Sequence, residues 1–247
     1  MTAARLRELH VAGSPLLLPN AWDADSARLV EAAGFPVVAT SSFAIAKVLG
    51  YDDGEAAPAD EMFAAAARIA RAVSVPVTVD VEAGYGFDAG ELATRLAEAG
   101  AVGCNYEDTD HGNGGLRPLD VQVKRIEELR QAAGDALVIN ARVDVFLGAA
   151  DERAVLDDAI ARAMAYLGAG ADCVYPILVK SPEVLGEFVR VVAPGAVNAA
   201  ALPGGPDLSA LTTLGVARIS LGTGLWKSVR ADIEAKLADM AAGKLPY

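Results

Sequence analysis

The chain has 247 residues, 53% of them apolar, with 33 acidic against 21 basic side chains and a formal net charge of −12. That length leaves ample chain for a core and excludes a mini-protein that depends on staples. The acidic balance excludes nucleic acid and an anionic membrane surface as expected partners, since each needs a basic footprint, and leaves the positive charge for any small anionic ligand to particular residues.

Two cysteines, Cys104 and Cys173, stand far apart in apolar runs without zinc or disulfide spacing, which favours a reducing, cytoplasmic setting. Residues 1–13 are amphipathic and charged, without the apolar stretch of a signal peptide. No run approaches the roughly 18 apolar residues of a membrane span.

Short apolar runs alternate with stretches of helical periodicity. Residues 16–19 read as the first strand and 26–33 as a helix stopped by Gly34. Strands follow at 37–40, 77–80, 103–107, 137–142, 173–177, 197–200 and 216–221. Helices are expected at 61–73, 89–99, 119–133, 152–167, 182–192, 208–213 and 225–241. The stretch after Ser41 and Ser42 reads as a long loop through Tyr51, Asp52 and Asp53. Eight strand–helix units of about 30 residues, with no break in composition, predict an α/β chain forming one (β/α)8 barrel over residues 1–247. Apolar strands without alternation suit a parallel sheet covered by helices. The rival, an open doubly wound sheet, usually carries Gly-x-Gly-x-x-Gly after its first strand; that fingerprint is missing, as is a Walker loop.

In a barrel the chemistry sits at the carboxyl ends of the strands. Polar residues gather there: Asn20, Trp22 and Asp23 after the first strand, Asp80-Val81-Glu82 after the third, Asn105-Tyr106-Glu107-Asp108 after the fourth, Asn140-Ala141-Arg142-Val143-Asp144 after the fifth, and Asn198 on the seventh. Asp80 and Glu82 are two apart, so on an extended segment both point the same way. Together with Glu107 they form a set of carboxylates that repel one another unless protons or a cation intervene. A hard divalent ion that keeps several waters, Mg²⁺, suits such a set. Asp88 reads as a helix cap instead. Arg142 could clamp a carboxylate or phosphonate with its bidentate fork, or form a structural ion pair with Asp144 or Glu107.

Five motifs, in order and each at an expected strand end, resemble the isocitrate lyase/phosphoenolpyruvate mutase superfamily. They are Pro19-Asn20-Ala21-Trp22-Asp23; Ser41-Ser42-Phe43 with Leu49-Gly50-Tyr51-Asp52-Asp53; Val79-Asp80-Val81-Glu82-Ala83-Gly84-Tyr85-Gly86; Tyr106-Glu107-Asp108; and Asn140-Ala141-Arg142-Val143-Asp144. The resemblance implies a phosphonomutase-like, lyase-type enzyme that makes or breaks a C–C or C–P bond of a small 2-oxo carboxylate through an enolate stabilised by Mg²⁺ or Mn²⁺. It implies that Asp80 ligates the metal directly and that Glu82 and Glu107 hold its waters. Ser41, Ser42 and Phe43 would hold the substrate carboxylate, and Arg142 would clamp an anionic group. Asp53 would lie over the substrate. Trp22 and Asn198 complete the candidate substrate contacts. The resemblance further implies a homo-oligomer, a dimer or tetramer, in which the last helix packs on or swaps with a neighbouring subunit.

The loop at 108–118 departs from the pattern. Isocitrate- and methylisocitrate-type members carry a Lys-Cys-Gly-His-like motif there, whereas this loop has neither cysteine nor lysine. His111 is the candidate substitute acid or base, flanked by glycines that suit a mobile gate. Two other readings remain open: a Schiff-base aldolase using Lys180, and a catalytically silent 2-oxo acid binder.

Overall fold

The computed structural model of the protein describes residues 2–245. Its strands are β1 (Leu16–Leu18), β2 (Asn20–Ala21), β3 (Val38–Thr40), β4 (Val77–Asp80), β5 (Gly103–Glu107), β6 (Val138–Val143), β7 (Cys173–Pro176), β8 (Ala196–Ala200) and β9 (Arg218–Ser220). All pair in parallel, in the order β1-β9-β8-β7-β6-β5-β4-β3-β2. The expected first strand is thus two short ones. Pro19 lies between them and has no N–H to give to a ladder. β1 pairs with β9 and β2 with β3, so the interrupted strand closes the ring.

Ten α-helices accompany the strands: α1 (Ala3–Glu8), α2 (Ala24–Ala32), α3 (Ser42–Leu49), α4 (Ala59–Ala72), α5 (Ala89–Glu98), α6 (Leu119–Ala133), α7 (Leu156–Gly168), α8 (Pro182–Val192), α9 (Leu208–Thr213) and α10 (Gly224–Ala241). α8 shows why they form: Ser181 caps Val184 N–H, a proline stands in the first turn, and Val184, Leu185, Phe188 and Val192 make one buried face. Each such side chain contributes about 1.5–3 kcal/mol of burial. Asp88 caps α5 as expected, accepting from Glu91 N–H at 2.8 Å.

α3 replaces part of the expected loop. Ser41 caps its start, Ala44, Ile45 and Ala46 are buried, and Gly50 ends it at φ 94°. These capping residues are a local signal that strand-end reasoning passed over. At the opposite end of the barrel α1 forms a plug. Leu6 is fully buried against Gly103, where a Cβ would come within 2.8 Å of its side chain. Arg7 fastens α1 to Asp172 at 2.6 Å and to the carbonyls of Asp135 and Leu137.

α10 meets its own barrel at its start, where Trp226 stands edge-on to Phe43 with ring centroids 5.6 Å apart. None of its residues is buried, and Val229, Ile233, Leu237 and Met240 are exposed. Both cysteines are buried and free. Among the described residues no helix is long and apolar enough to cross a membrane.

Candidate active site

The carboxyl ends of the strands surround a cavity of about 690 Å³, within the range of small-molecule sites. Of the expected site residues, Ser41, Ser42, Phe43, Asp53, Asp80 and Arg142 line it. Asn20, Asn105, Tyr175, Ser220 and Lys227 line it as well. Asn20 opens the two-residue β2 and Asn105 lies in the middle of β5. Tyr175 lies within β7 and Ser220 ends β9, both in runs that read as apolar, and Lys227 lies in the first turn of α10.

Asp80 ends β4. Its Oδ2 accepts two bonds from Ser42, from the N–H at 3.1 Å and from the hydroxyl at 2.7 Å. Its Oδ1 is buried and has no hydrogen-bond partner. A buried carboxylate oxygen left in that state calls for a ligand. The Ser42 N–H and hydroxyl are thus both engaged with Asp80 in this structure. The Phe43 N–H, in the first turn of α3, accepts no such commitment among the described residues.

Arg142 on β6 combines both expected alternatives. Its Nε and Nη2 grip Asp144 at 2.6 and 2.7 Å. Its Nη2 also lies 2.5 Å from Glu107 Oε2 as an ion pair without hydrogen-bond alignment. Burial opposes the arginine's charge, but the carboxylates of Glu107 and Asp144 outweigh it and hold the group firmly protonated. Nη1 is the part left to meet a ligand in the cavity. Behind Asp144 stands a further layer: Asp108 accepts the Asp144 N–H at 2.9 Å and is held by Arg162 and Tyr166.

Glu82 and Glu107 do not line the cavity. The strand ends at Asp80 and Glu82 takes φ 49°, so the two-residue alternation does not apply to it. Its carboxylate instead accepts from Glu55 N–H at 2.6 Å and Tyr85 hydroxyl at 2.8 Å. Tyr85 N–H in turn bonds Glu55. All three residues have positive φ, a conformation that costs non-glycine residues on the order of 1–3 kcal/mol and persists where neighbours enforce it. Burial pushes Glu82 up to about 7, with the charge of Asp80 adding to it. Burial likewise pushes Glu107 up to about 7 against the opposing pull of Arg142. At the mouth, desolvation and then the charge of Asp80 raise the Asp53 carboxyl. Among the described residues no three His, Cys, Asp or Glu side chains are placed to ligate one ion together. What fits a hard cation is the single free oxygen of Asp80 with further carboxylates nearby, an arrangement suited to an ion that keeps its waters.

Three expected residues lie elsewhere. His111 Nε2 sits 2.7 Å from Glu107 Oε1, outside the cavity lining. Its loop is not an open gate: Thr109 bridges Leu116, and Asp110 accepts from Gly112, Asn113 N–H and the Asn113 amide. Trp22 packs against the core, its N–H bonded to Ser26. Asn198 lies within β8, fully buried and 3.4 Å from Ser220 Oγ. Lys180 lines a neighbouring surface cleft and not this cavity, which removes the geometric basis of a Schiff-base reading.

The family model described as phosphoenolpyruvate phosphomutase matches residues 6–241. The chain belongs to the phosphoenolpyruvate mutase/isocitrate lyase superfamily. This superfamily member is 31% identical to 2-methylisocitrate lyase of Bacillus subtilis (strain 168), over 76% of this chain and 64% of that one. It superposes on a candidate phosphonomutase from Burkholderia cenocepacia J2315 with TM-score 0.89 and 42% identity, covering 96% and 99% of the two chains. The phosphoenolpyruvate phosphomutase from Streptomyces platensis subsp. rosaceus aligns with TM-score 0.83 and 26% identity over 99% and 89%. These relatives place the chain among lyases and mutases with this barrel fold.

Proposed function

We propose that this superfamily member is a lyase-type enzyme, dependent on Mg²⁺ or Mn²⁺, that makes or breaks a C–C or C–P bond of a small 2-oxo carboxylate. Oxaloacetate decarboxylase-like and phosphonopyruvate hydrolase-like reactions both belong to this class. One observation carries the reading: the cavity joins a buried carboxylate with an unpartnered oxygen, Asp80, to an arginine held in place with Nη1 uncommitted, Arg142.

Asp80 would hold the cation directly, with Glu82 and Glu107 on its waters. When bound, the cation supplies Lewis-acid stabilisation of the charge that develops on the 2-oxo oxygen. Arg142 Nη1 and the Phe43 N–H at the α3 start offer donors to the substrate carboxylate, one charged and one favoured by the helix dipole. Asp53, over the cavity, orients a water or polarises the leaving group. His111 acts through Glu107, fixing that carboxylate rather than touching substrate.

A cytoplasmic homo-oligomer, dimer or tetramer, accompanies this reading. The two buried free thiols support the first part. The exposed apolar row on α10 supports the second. The test is a turnover screen of 2-oxo acids and phosphonates with Mg²⁺ and EDTA controls. Turnover lost in EDTA supports the reading; turnover indifferent to EDTA, or metal-dependent binding without turnover, contradicts it.

A further inference from the structure

Beneath the cavity the barrel interior holds a second arginine that the proposed chemistry leaves unused. Arg218 opens β9 and is only 1% exposed. Arg142 faces the carboxylates of Glu107 and Asp144. No carboxylate pairs with Arg218 among the described residues, and its Nε and Nη1 have no hydrogen-bond partner. The guanidinium makes one side-chain hydrogen bond, from Nη2 to Asn105 Oδ1 at 3.0 Å. Burying an arginine without a counter-charge is costly, so what this one does for Asn105 needs a reason.

Asn105 lines the cavity and neighbours Asp80 across the β4–β5 ladder. Its Oδ1 accepts a second bond, from Asn140 Nδ2 at 2.8 Å. A guanidinium has donors only. The Asn105 amide can therefore stand one way round: turned over, it would set its own NH2 against Arg218. With Oδ1 committed to Arg218 and Asn140, Nδ2 is the polar atom of this side chain left for the cavity.

We infer that Asn105 Nδ2 is a catalytic donor to the 2-oxo oxygen of the substrate and that Arg218 is the positioning residue that holds it in that orientation. This rests on the proposed function, because the oxygen is that of the 2-oxo carboxylate. In both reaction classes the electron pair of the breaking bond stays on the carbon beside the 2-oxo group and spreads onto this oxygen. Carbon dioxide leaves in a decarboxylation, and the phosphoryl group passes to water in a hydrolysis. A donor fixed in advance gains strength as that charge grows. The charge of Arg218, shielded from bulk water, polarises the amide in the same sense.

Oxalate, a planar dianion with the shape and charge of such an enolate, is the probe. In nitrogen–proton correlation spectra of the full chain in Mg²⁺, oxalate should move the Asn105 side-chain NH2 pair, assigned through its own Cβ protons, beyond any shift caused by Mg²⁺ alone. Asn105→Asp still accepts from Arg218 and Asn140, so its Tm should not fall, while calorimetry should show oxalate binding weakened by about 100-fold or more. Arg218→Gln keeps a donor for Asn105 but removes the charge; it should move the same NH2 pair and weaken oxalate binding by about tenfold. An NH2 pair unmoved by oxalate, or an oxalate Kd unchanged in Asn105→Asp, overturns the inference and leaves the proposed function standing. An unchanged Kd in Arg218→Gln overturns the role of Arg218. The spectra of the wild-type chain decide alone if Asn105→Asp does not fold. Failure of oxalate to bind the wild-type chain in Mg²⁺ overturns the proposed function and this inference with it.

Discussion

Arg142 holds Asp144 through two parallel hydrogen bonds, 2.6 and 2.7 Å long, while the same guanidinium faces the central cavity. The ion pair is what aims the arginine: two of its nitrogens are spent and only Nη1 is left for a ligand. Lysine cannot reproduce that fork. Arg142→Lys is expected to lower kcat/KM by roughly 100-fold, the loss of about 2–3 kcal/mol of charge-assisted hydrogen bonding. Asp144→Ala should in addition destabilise the fold by about 3–5 kcal/mol, because it strands a buried charge. Steady-state kinetics and denaturant melts of the two variants check both numbers.

Asp80→Asn separates charge from shape. The amide oxygen can still accept from Ser42, so the Tm should stay close to wild type, while turnover falls on the order of 10²–10³-fold. Glu82→Gln and Glu107→Gln, acting one layer out, should weaken Mg²⁺ binding by about 10–100-fold. Full activity in Asp80→Asn would exclude the proposed site.

The raised carboxyls give stability a pH dependence. Burial pushes the Glu82 and Glu107 carboxyls up to about 7 in the folded chain, from an ordinary 4.5. Between those values the folded chain holds more protons than the unfolded one. Their contribution is fully present below pH 4.5 and is lost as pH rises through about 7. His111, raised by its bond to Glu107, acts in the same direction. In EDTA the Tm should therefore fall between pH 5 and 8. Mg²⁺ competes with the same protons, so it should bind more tightly at pH 8 and offset the fall. A metal-free Tm that rises across this window would contradict the assignment.

His111→Ala is expected to lower kcat about tenfold, through loss of the partner that fixes Glu107, and to shift the pH profile. His111→Gln keeps a side-chain donor for Glu107 and should recover part of the rate. Loss as complete as in Asp80→Asn would mean that the imidazole reaches the substrate after all.

The apolar row of α10 predicts assembly. Light scattering on the purified chain should give a dimer or tetramer. Replacing Ile233 and Leu237 by Asp should shift it to monomer with the barrel still folded, since neither side chain is buried within the subunit. A wild-type monomer at all concentrations would refute the oligomer.

The strand ends were the legible part of the site. Asp80, Glu107 and Arg142 lie within one residue of the positions where hydrophobic runs stop, and a barrel collects such positions at one mouth. Asn198 shows the limit: it and Asn105 each stand two residues before the end of their strands, yet only Asn105 lines the cavity and Asn198 is fully buried. Trp22 shows another, a half-buried aromatic that packs against the core although its neighbours are polar. Glu55, linked to Glu82 and Tyr85 by three left-handed backbones, had no local signature at all.

Periodicity and breakers in the sequence determine eight strand–helix units, because each unit must bury its own apolar face, and those units imply a single barrel with an acidic mouth. Tertiary structure decides which mouth residues are free to act. Ser42 is consumed by Asp80, His111 by Glu107, and two of the Arg142 nitrogens by carboxylates. The Ser42–Asp80 and Arg142–Glu107 commitments join residues 38 and 35 positions apart, which no local pattern encodes, whereas those of His111 with Glu107 and Arg142 with Asp144 are local. The net charge of −12 could only pose the question of how an anion is welcomed. Ring closure answers it by burying Arg142 among its carboxylate partners on the cavity lining, where low dielectric makes one well-placed cation count.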